Sequence, residues 1–301
     1  MDKATRFGIE IEITGITRKD AALAAQTVLG GELCYGGSYY DTYELATSDG
    51  RTWKFTYDGS IRCETKRGRM TESASRLYSV ELVSPILTYE ADIENLQEVV
   101  RALRKAGAFT NSSCGIHVHL DGASHTPRSI RNFVNIIHAR NDLFYKALGI
   151  EAQRARYCKK MDEHLVATMN RAKPATFAEI ESIWYAGYQG SREAHYHQSR
   201  YHFCNLHAFF HGHHTVELRG FNSTLHAGEV RSYIVFALAL NTQALTQSSA
   251  STKKPQAENE KFAMRTYLNR LGLIGDEFKA CREHLCKRLS GNAAWRRRIA
   301  A

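Results

Sequence analysis

Proline is scarce in this chain, with four in 301 residues, and so are paired cysteines and long apolar runs. Without a run of roughly 20 apolar residues there is no candidate transmembrane helix. The seven cysteines (Cys34, Cys63, Cys114, Cys158, Cys204, Cys281 and Cys286) are odd in number and lack CxxC spacing. That argues against both a zinc ribbon and a disulfide framework, and predicts reduced thiols. The opening MDKATRF has no apolar stretch of the signal-peptide kind, so the cytosol is the expected compartment. No internal repeat or low-complexity tract divides the chain.

What is present is 43% hydrophobic residues, enough for one large core or two small ones, and a net charge of +9. A basic surface attracts anions such as nucleotides, acidic peptides or nucleic acid. The basic residues gather in ETKRGRM (64–70) and WRRRIAA (295–301). Alternating apolar and polar residues predict strands near 6–14, 51–57, 78–84, 115–121 and 213–221. Helical spacing predicts helices over 91–107, ending at Gly107, and 126–149, with Thr126 as N-cap, Pro127 at the first helical position and Gly149 at the end. A buried helix is expected over 228–246, a polar connector over 246–260, and two amphipathic helices over 259–272 and 275–289. This irregular interleaving predicts an α+β fold with a mainly antiparallel sheet. The expected organisation is a catalytic domain over 1–247 with a helical appendage of the same domain over 248–301.

In FGIEIEIT a period of two sets Phe7, Ile9, Ile11 and Ile13 against Gly8, Glu10, Glu12 and Thr14. Carboxylates two residues apart on one strand face repel unless the face is wet or holds cations. The pattern recurs in CGIHVHLDG, where His117, His119 and Asp121 share a face, and in HTVELRGF, where Glu217 and Arg219 lie opposite Val216 and Leu218. Three strands with one apolar and one ionisable face predict a sheet that packs on helices and lines a polar cavity. Carboxylates with one or two imidazoles suit Mg²⁺ or Mn²⁺ better than zinc. Arg219 beside Glu217 suits phosphate oxygens arriving with the metal. Asp58-Gly59-Ser60 is a turn signal, Glu81 is a lone carboxylate in YSVELVSP, and Lys66 and Arg67 sit in a predicted loop that either folds over nucleotide phosphates or is solvated. The run His207, His211, His213 and His214 reads as partly exposed strand residues or as a local transition-metal site.

The ordered motifs FGIEIE, DGSI, VELVSP, NSSCGIHVHLDG and RYHFCNLHAFFHGHHTVELRGFNSTL resemble the amidoligase family of the carboxylate-amine ligase superfamily, which includes glutamine synthetase and glutamate-cysteine ligase. The resemblance covers residues 6 to about 245 and implies a glutamine-synthetase-like curved sheet that binds ATP and two divalent cations. It implies metal ligation by Glu10, Glu12, Glu81, His117 and Glu217, with Glu10 and Glu12 on different cations. It further implies that His117 positions the nucleotide phosphates, that Arg219 contacts the transferred phosphoryl group, and that Asp58 lies near the attacking amine. Whether Glu64 or Glu72 supplies a further ligand stays open, and Asn111 and Arg200 occupy family-like positions.

The expected activity is ATP-dependent amide or peptide bond formation through an acyl phosphate, from small-molecule or peptide carboxylates and amines. The alternative is a metal-dependent hydrolase in which the same residues activate water. A nucleic-acid-binding role for the basic segments ranks last, because it leaves the carboxylate-rich face unexplained. No membrane partner is expected, and the oligomeric state stays open.

Overall fold

The computed structural model describes residues 1–150 and 152–294. The basic stretch 295–301 lies outside the described residues. The chain is α+β and forms two compact units. One comprises Lys3–Val118 with Phe221–Tyr233; the other comprises Met1–Asp2, His119–Gly220 and the chain from Ile234 onward.

The first unit begins with β1 (Phe7–Ile13), α1 (Arg18–Leu29), β2 (Glu32–Tyr35), β3 (Tyr43–Ala46) and β4 (Thr52–Thr56). The hairpin strands β5 (Glu64–Arg67) and β6 (Met70–Ser73), then β7 (Val80–Val83) and α2 (Tyr89–Lys105), follow. Strand β8 (Gly115–Asp121) begins in this unit and runs into the other. The strand order is β2-β3-β4-β7-β1-β8, with β5 and β6 forming a sheet of their own. Pairings β2/β3, β3/β4, β4/β7 and β7/β1 are antiparallel.

The alternation read from the sequence appears directly as burial. Ile9, Ile11, Ile13, Leu45, Phe55, Val80 and Leu82 are buried, as is the α2 stripe of Ile93, Leu96, Val100 and Leu103. Helices α1 and α2 pack on each other, and α1 also packs on β3 and β4. Helix α2 stops at Lys105, one residue short of its Ala106 cap, and Gly107 follows with φ +102°. The glycine thus reverses the chain just beyond the cap.

The second unit holds α3 (Pro127–Leu148), α4 (Glu163–Ala172), α5 (Phe177–Tyr185), β9 (Cys204–Asn205), the short α6 (His207–His211) and most of β10 (Thr215–Asn222). Thr126 accepts from the Ser129 N–H, Pro127 opens α3, and Gly149 closes it in the left-handed region at φ +60°. Strand β9 pairs antiparallel with β10. Gly220 is required there, because a Cβ would sit 2.1 Å from the Phe203 ring. Helix α7 (Ala227–Thr246) continues through Ile234, Phe236, Leu238 and Leu240, all buried. Residues 247–259 carry no regular structure, and α8 (Glu260–Arg270) and α9 (Lys279–Cys286) follow. Among the described residues no helix is long and apolar enough to cross a membrane.

A structural expectation is overturned in the first unit. The segment around Lys66 and Arg67, expected as a loop, is the β5–β6 hairpin, with Arg67 opposite Met70 and Gly68 at φ +63° in the turn. Its strands are mostly exposed, so they lack the apolar alternation that marks a strand in sequence.

Candidate functional site

Pairing register brings the carboxylates of the first unit together. On β1 and β7, Ile11 lies opposite Leu82 and Glu12 lies opposite Glu81, while Glu81 also faces Thr56 of β4. Directly opposed residues hold their side chains about 5 Å apart on one face, and like charges there are destabilising. Glu12 is 4% exposed, so water does little to screen that repulsion.

His117 of β8 sits against both β1 carboxylates. Its Nδ1 is 2.8 Å from Glu10 Oε2, where the ring N–H donates to the carboxylate, and its Nε2 is 3.7 Å from Glu12 Oε1. Counting only residues of the first unit, two sets of three ligand atoms fall within 4.8 Å of one another: Glu10, Glu81 and His117, and Glu12, Asp58 and Glu81. Glu81 belongs to both, whereas Glu10 and Glu12 belong to one each. The donors are four carboxylates and one imidazole, an oxygen-rich set that fits Mg²⁺ or Mn²⁺.

Local structure explains how each donor is held. The turn NSSC is built by Asn111, whose Oδ1 accepts from the Ser113 N–H at 3.0 Å and the Ser113 hydroxyl at 2.6 Å. That turn delivers the Gly115 N–H to Glu12 Oε2. Asn111 also donates to Glu64 Oε2 at 2.9 Å, and Arg62 donates to Glu64 Oε1 at 2.9 Å. Neither Glu64 nor Glu72 belongs to a ligand triad among the described residues. Asp58 keeps the expected turn role, accepting from the Ser60 N–H at 2.6 Å, while it also joins the second triad. Its backbone is clamped by Ser79, whose hydroxyl donates to the Asp58 carbonyl at 2.6 Å and accepts from the Asp58 N–H at 3.1 Å. Ser79 is in turn fixed by Arg18, only 1% exposed, which donates to the Ser79 carbonyl at 2.7 Å and pairs with Asp41. The Arg18 guanidinium holds the Asp41 carboxyl below the usual range.

The second unit carries the other predicted ionisable face. Glu217 and Arg219 of β10 are 2% and 7% exposed and form an ion pair. The Asn205 amide of β9 donates to Glu217 Oε2 at 2.6 Å, and the His207 N–H fixes that amide by donating to its Oδ1 at 2.8 Å. His119 Nε2 lies 3.9 Å from Glu217 Oε1, and its Nδ1 is 3.1 Å from the Thr215 hydroxyl. Arg154 donates to the Arg219 carbonyl at 3.0 Å. Asn205 and Arg154 escaped the sequence reading, whereas the alternation places Thr215 on the face of Glu217 and Arg219. Only the N of FCNLH, opposite Glu217 across the β9/β10 pair, carried a signal, and it needs the register to be seen.

Other candidates fall elsewhere. Asp121 caps a turn by accepting from the Ala123 N–H at 3.0 Å. Lys66 lies over the Phe109 ring at 4.7 Å. Arg200 donates to the His195 carbonyl at 2.9 Å and stacks over Tyr196 at 5.4 Å.

The histidine run is not a strand. His207 and His211 lie on α6, and His207 is buried, stacked on His197 at 5.4 Å and sharing a 2.5 Å hydrogen bond with the Tyr185 hydroxyl. Burial, reinforced by neighbouring cationic histidine forms, pushes His207 down to about 4. No metal-competent triad among the described residues includes these histidines.

The α+β fold thus carries four carboxylates and one imidazole gathered on an open sheet. The chain belongs to the family described as "putative amidoligase enzyme", whose family model matches residues 3–241. No curated protein sequence matches it. Family membership makes it an amide-bond-forming ligase in general terms.

Proposed function

We propose that the protein is an ATP-dependent carboxylate-amine ligase working through an acyl phosphate. The observation that carries this reading is the placement of half-buried Glu81 opposite buried Glu12, with Glu10, His117 and Asp58 close by. Such a collection of negative charge suits cations that arrive with a nucleotide. Glu10, His117 and Glu81 would hold one cation and Glu12 and Glu81 the other, with Asp58 beside the second set left to act as a base. The metal ions supply neutralisation of phosphate oxygens when bound.

A substrate carboxylate oxygen attacks the γ-phosphorus of ATP, the bond to ADP breaks, and an acyl phosphate forms. The amine then attacks the acyl carbon and inorganic phosphate leaves. Asp58, fixed through Ser79 and Arg18, takes the proton that makes the amine nucleophilic. By the family resemblance, Arg219, paired with Glu217, would stabilise charge on the moving phosphoryl group and Glu217 would ligate a cation. His117 orients Glu10 and, by the same resemblance, the nucleotide phosphates.

The test is ADP formation by the purified protein with Mg²⁺ and a panel of carboxylates and amines. Release stimulated by a carboxylate-amine pair, and lost on Glu10→Gln or Glu81→Gln, is expected. Hydrolysis of an amide or phosphate ester with no nucleotide requirement would overturn the proposal in favour of a hydrolase.

A further inference from the structure

Helices α8 and α9, beyond the stretch matched by the family model, enclose a second charged feature. A pocket of about 420 Å³ is lined there by Lys261, Arg265, Lys279, Arg282 and Lys287, with Glu283 as its one carboxylate among the described residues. Five cations against one anion leave a lining charge of +4 in a concave site of ligand size.

The arrangement is ordered. Lys261 and Arg265 are four residues apart on α8, a like-charged row, and α9 presents Lys279 and Arg282 three apart, with Glu283 four residues after Lys279 as the one opposing charge. Like charges at these spacings destabilise a helix, and an anion lying between the rows would turn that cost into attraction. Arg282 is already oriented, donating to the Leu273 carbonyl at 2.8 Å and the Gly275 carbonyl at 3.0 Å. Neither bond uses a carboxylate, so its charge stays uncompensated by those partners. The rows converge on buried Cys286: Lys261, Arg265 and Arg282 each lower its thiol pKa, opposing the burial that pushes it up to about 11.

We propose that this pocket binds an oligophosphate chain, either free or as the phosphate tail of a nucleotide. A single monovalent anion cannot balance +4, whereas a chain of two or three phosphates carries comparable charge and can run between two rows. Lysine and arginine on facing helices can then each take a separate phosphate oxygen. The site is independent of the carboxylate set that the proposed ligase reaction uses.

The experiment is isothermal titration of the full chain with inorganic tripolyphosphate and, in parallel, with ATP, both in EDTA. One saturable site is expected, weakening steeply with added salt. The K261A/R265A double variant should lose at least about ten-fold in affinity, and K279A, which leaves α8 untouched, should also weaken binding while E10Q does not. Tighter binding of ATP assigns the site to a nucleotide tail, and tighter binding of tripolyphosphate to a free chain. No saturable tripolyphosphate binding, or binding unchanged in both pocket variants, overturns the proposal. So does capture of a nucleic-acid oligomer or an acidic vesicle that tripolyphosphate fails to displace.

Discussion

Arg219→Ala removes one half of a buried ion pair and leaves Glu217, 2% exposed, with a charge and no counter-ion on its own strand. Breaking such a pair from one side typically costs 3–5 kcal/mol, by the general figure of about that size for an uncompensated buried charge. Here the cost is reduced, because Asn205 still donates to Glu217 Oε2 at 2.6 Å and His119, 3.9 Å from Oε1, can take up a proton. A loss of about 2–3 kcal/mol follows, within the roughly 5–15 kcal/mol stability of a typical protein, so the variant stays folded. Urea denaturation at pH 7 measures it as a shift in midpoint at constant slope. The double variant Glu217→Gln/Arg219→Ala removes the stranded charge and should recover more than half of the loss. Ligase activity behaves differently: it should fall on the order of 10²- to 10³-fold in both variants, as for loss of a transition-state donor. If Arg219→Ala matched wild-type stability, or the double variant were no better than the single one, the pair would not be holding Glu217 against burial.

Glu81→Gln should abolish the thermal stabilisation given by millimolar Mg²⁺ or Mn²⁺, since Glu81 sits in both triads, whereas Glu10→Gln and Glu12→Gln should each remove part of it. At a hundredfold excess over Kd that stabilisation is about 2.7 kcal/mol, readable by differential scanning fluorimetry. Arg18→Ala leaves the carbonyls of Asp41 and Ser79 without the guanidinium donor, takes one of two donors from the Arg76 carbonyl, and should cost about 3 kcal/mol in urea denaturation, with a lower kcat because the Asp58 clamp loosens. His207, pushed down to about 4 in the folded chain, makes stability pH-dependent: the unfolded state binds the proton first, so stability is full above pH ~6.5 and falls as pH drops towards 4. The slope should be at most about 1.4 kcal/mol per pH unit in that window and should flatten in His207→Gln.

Much of the candidate site was legible in the sequence because a strand's side chains alternate. Once FGIEIE, GIHVH and TVELR are read as strands, Glu10, Glu12, His117, Glu217 and Arg219 must share ionisable faces, and the apolar partners must be buried. The caps of α3 were equally local: Thr126, Pro127 and Gly149 act through backbone within one turn of themselves. The family, too, was readable from ordered motifs.

Pairing register, by contrast, belongs to residues far apart in the chain. That Glu12 meets Glu81, that Glu81 belongs to both triads, and that Asn205 pins Glu217 depend on which strand lies beside which. The alternation fixes a face but leaves the neighbour undetermined. Exposed strands carry no apolar rhythm, so the β5–β6 hairpin around Lys66 was hidden, and short α6 has too few turns to display a helical period. Buried polar residues such as Arg18 and His207 look like surface residues in a sequence, since only tertiary packing supplies the carbonyls, hydroxyls and rings that satisfy them. The sequence by itself thus determined which side chains face the chemistry; the tertiary structure decided their partners, because contact between distant segments is set by packing rather than by local period.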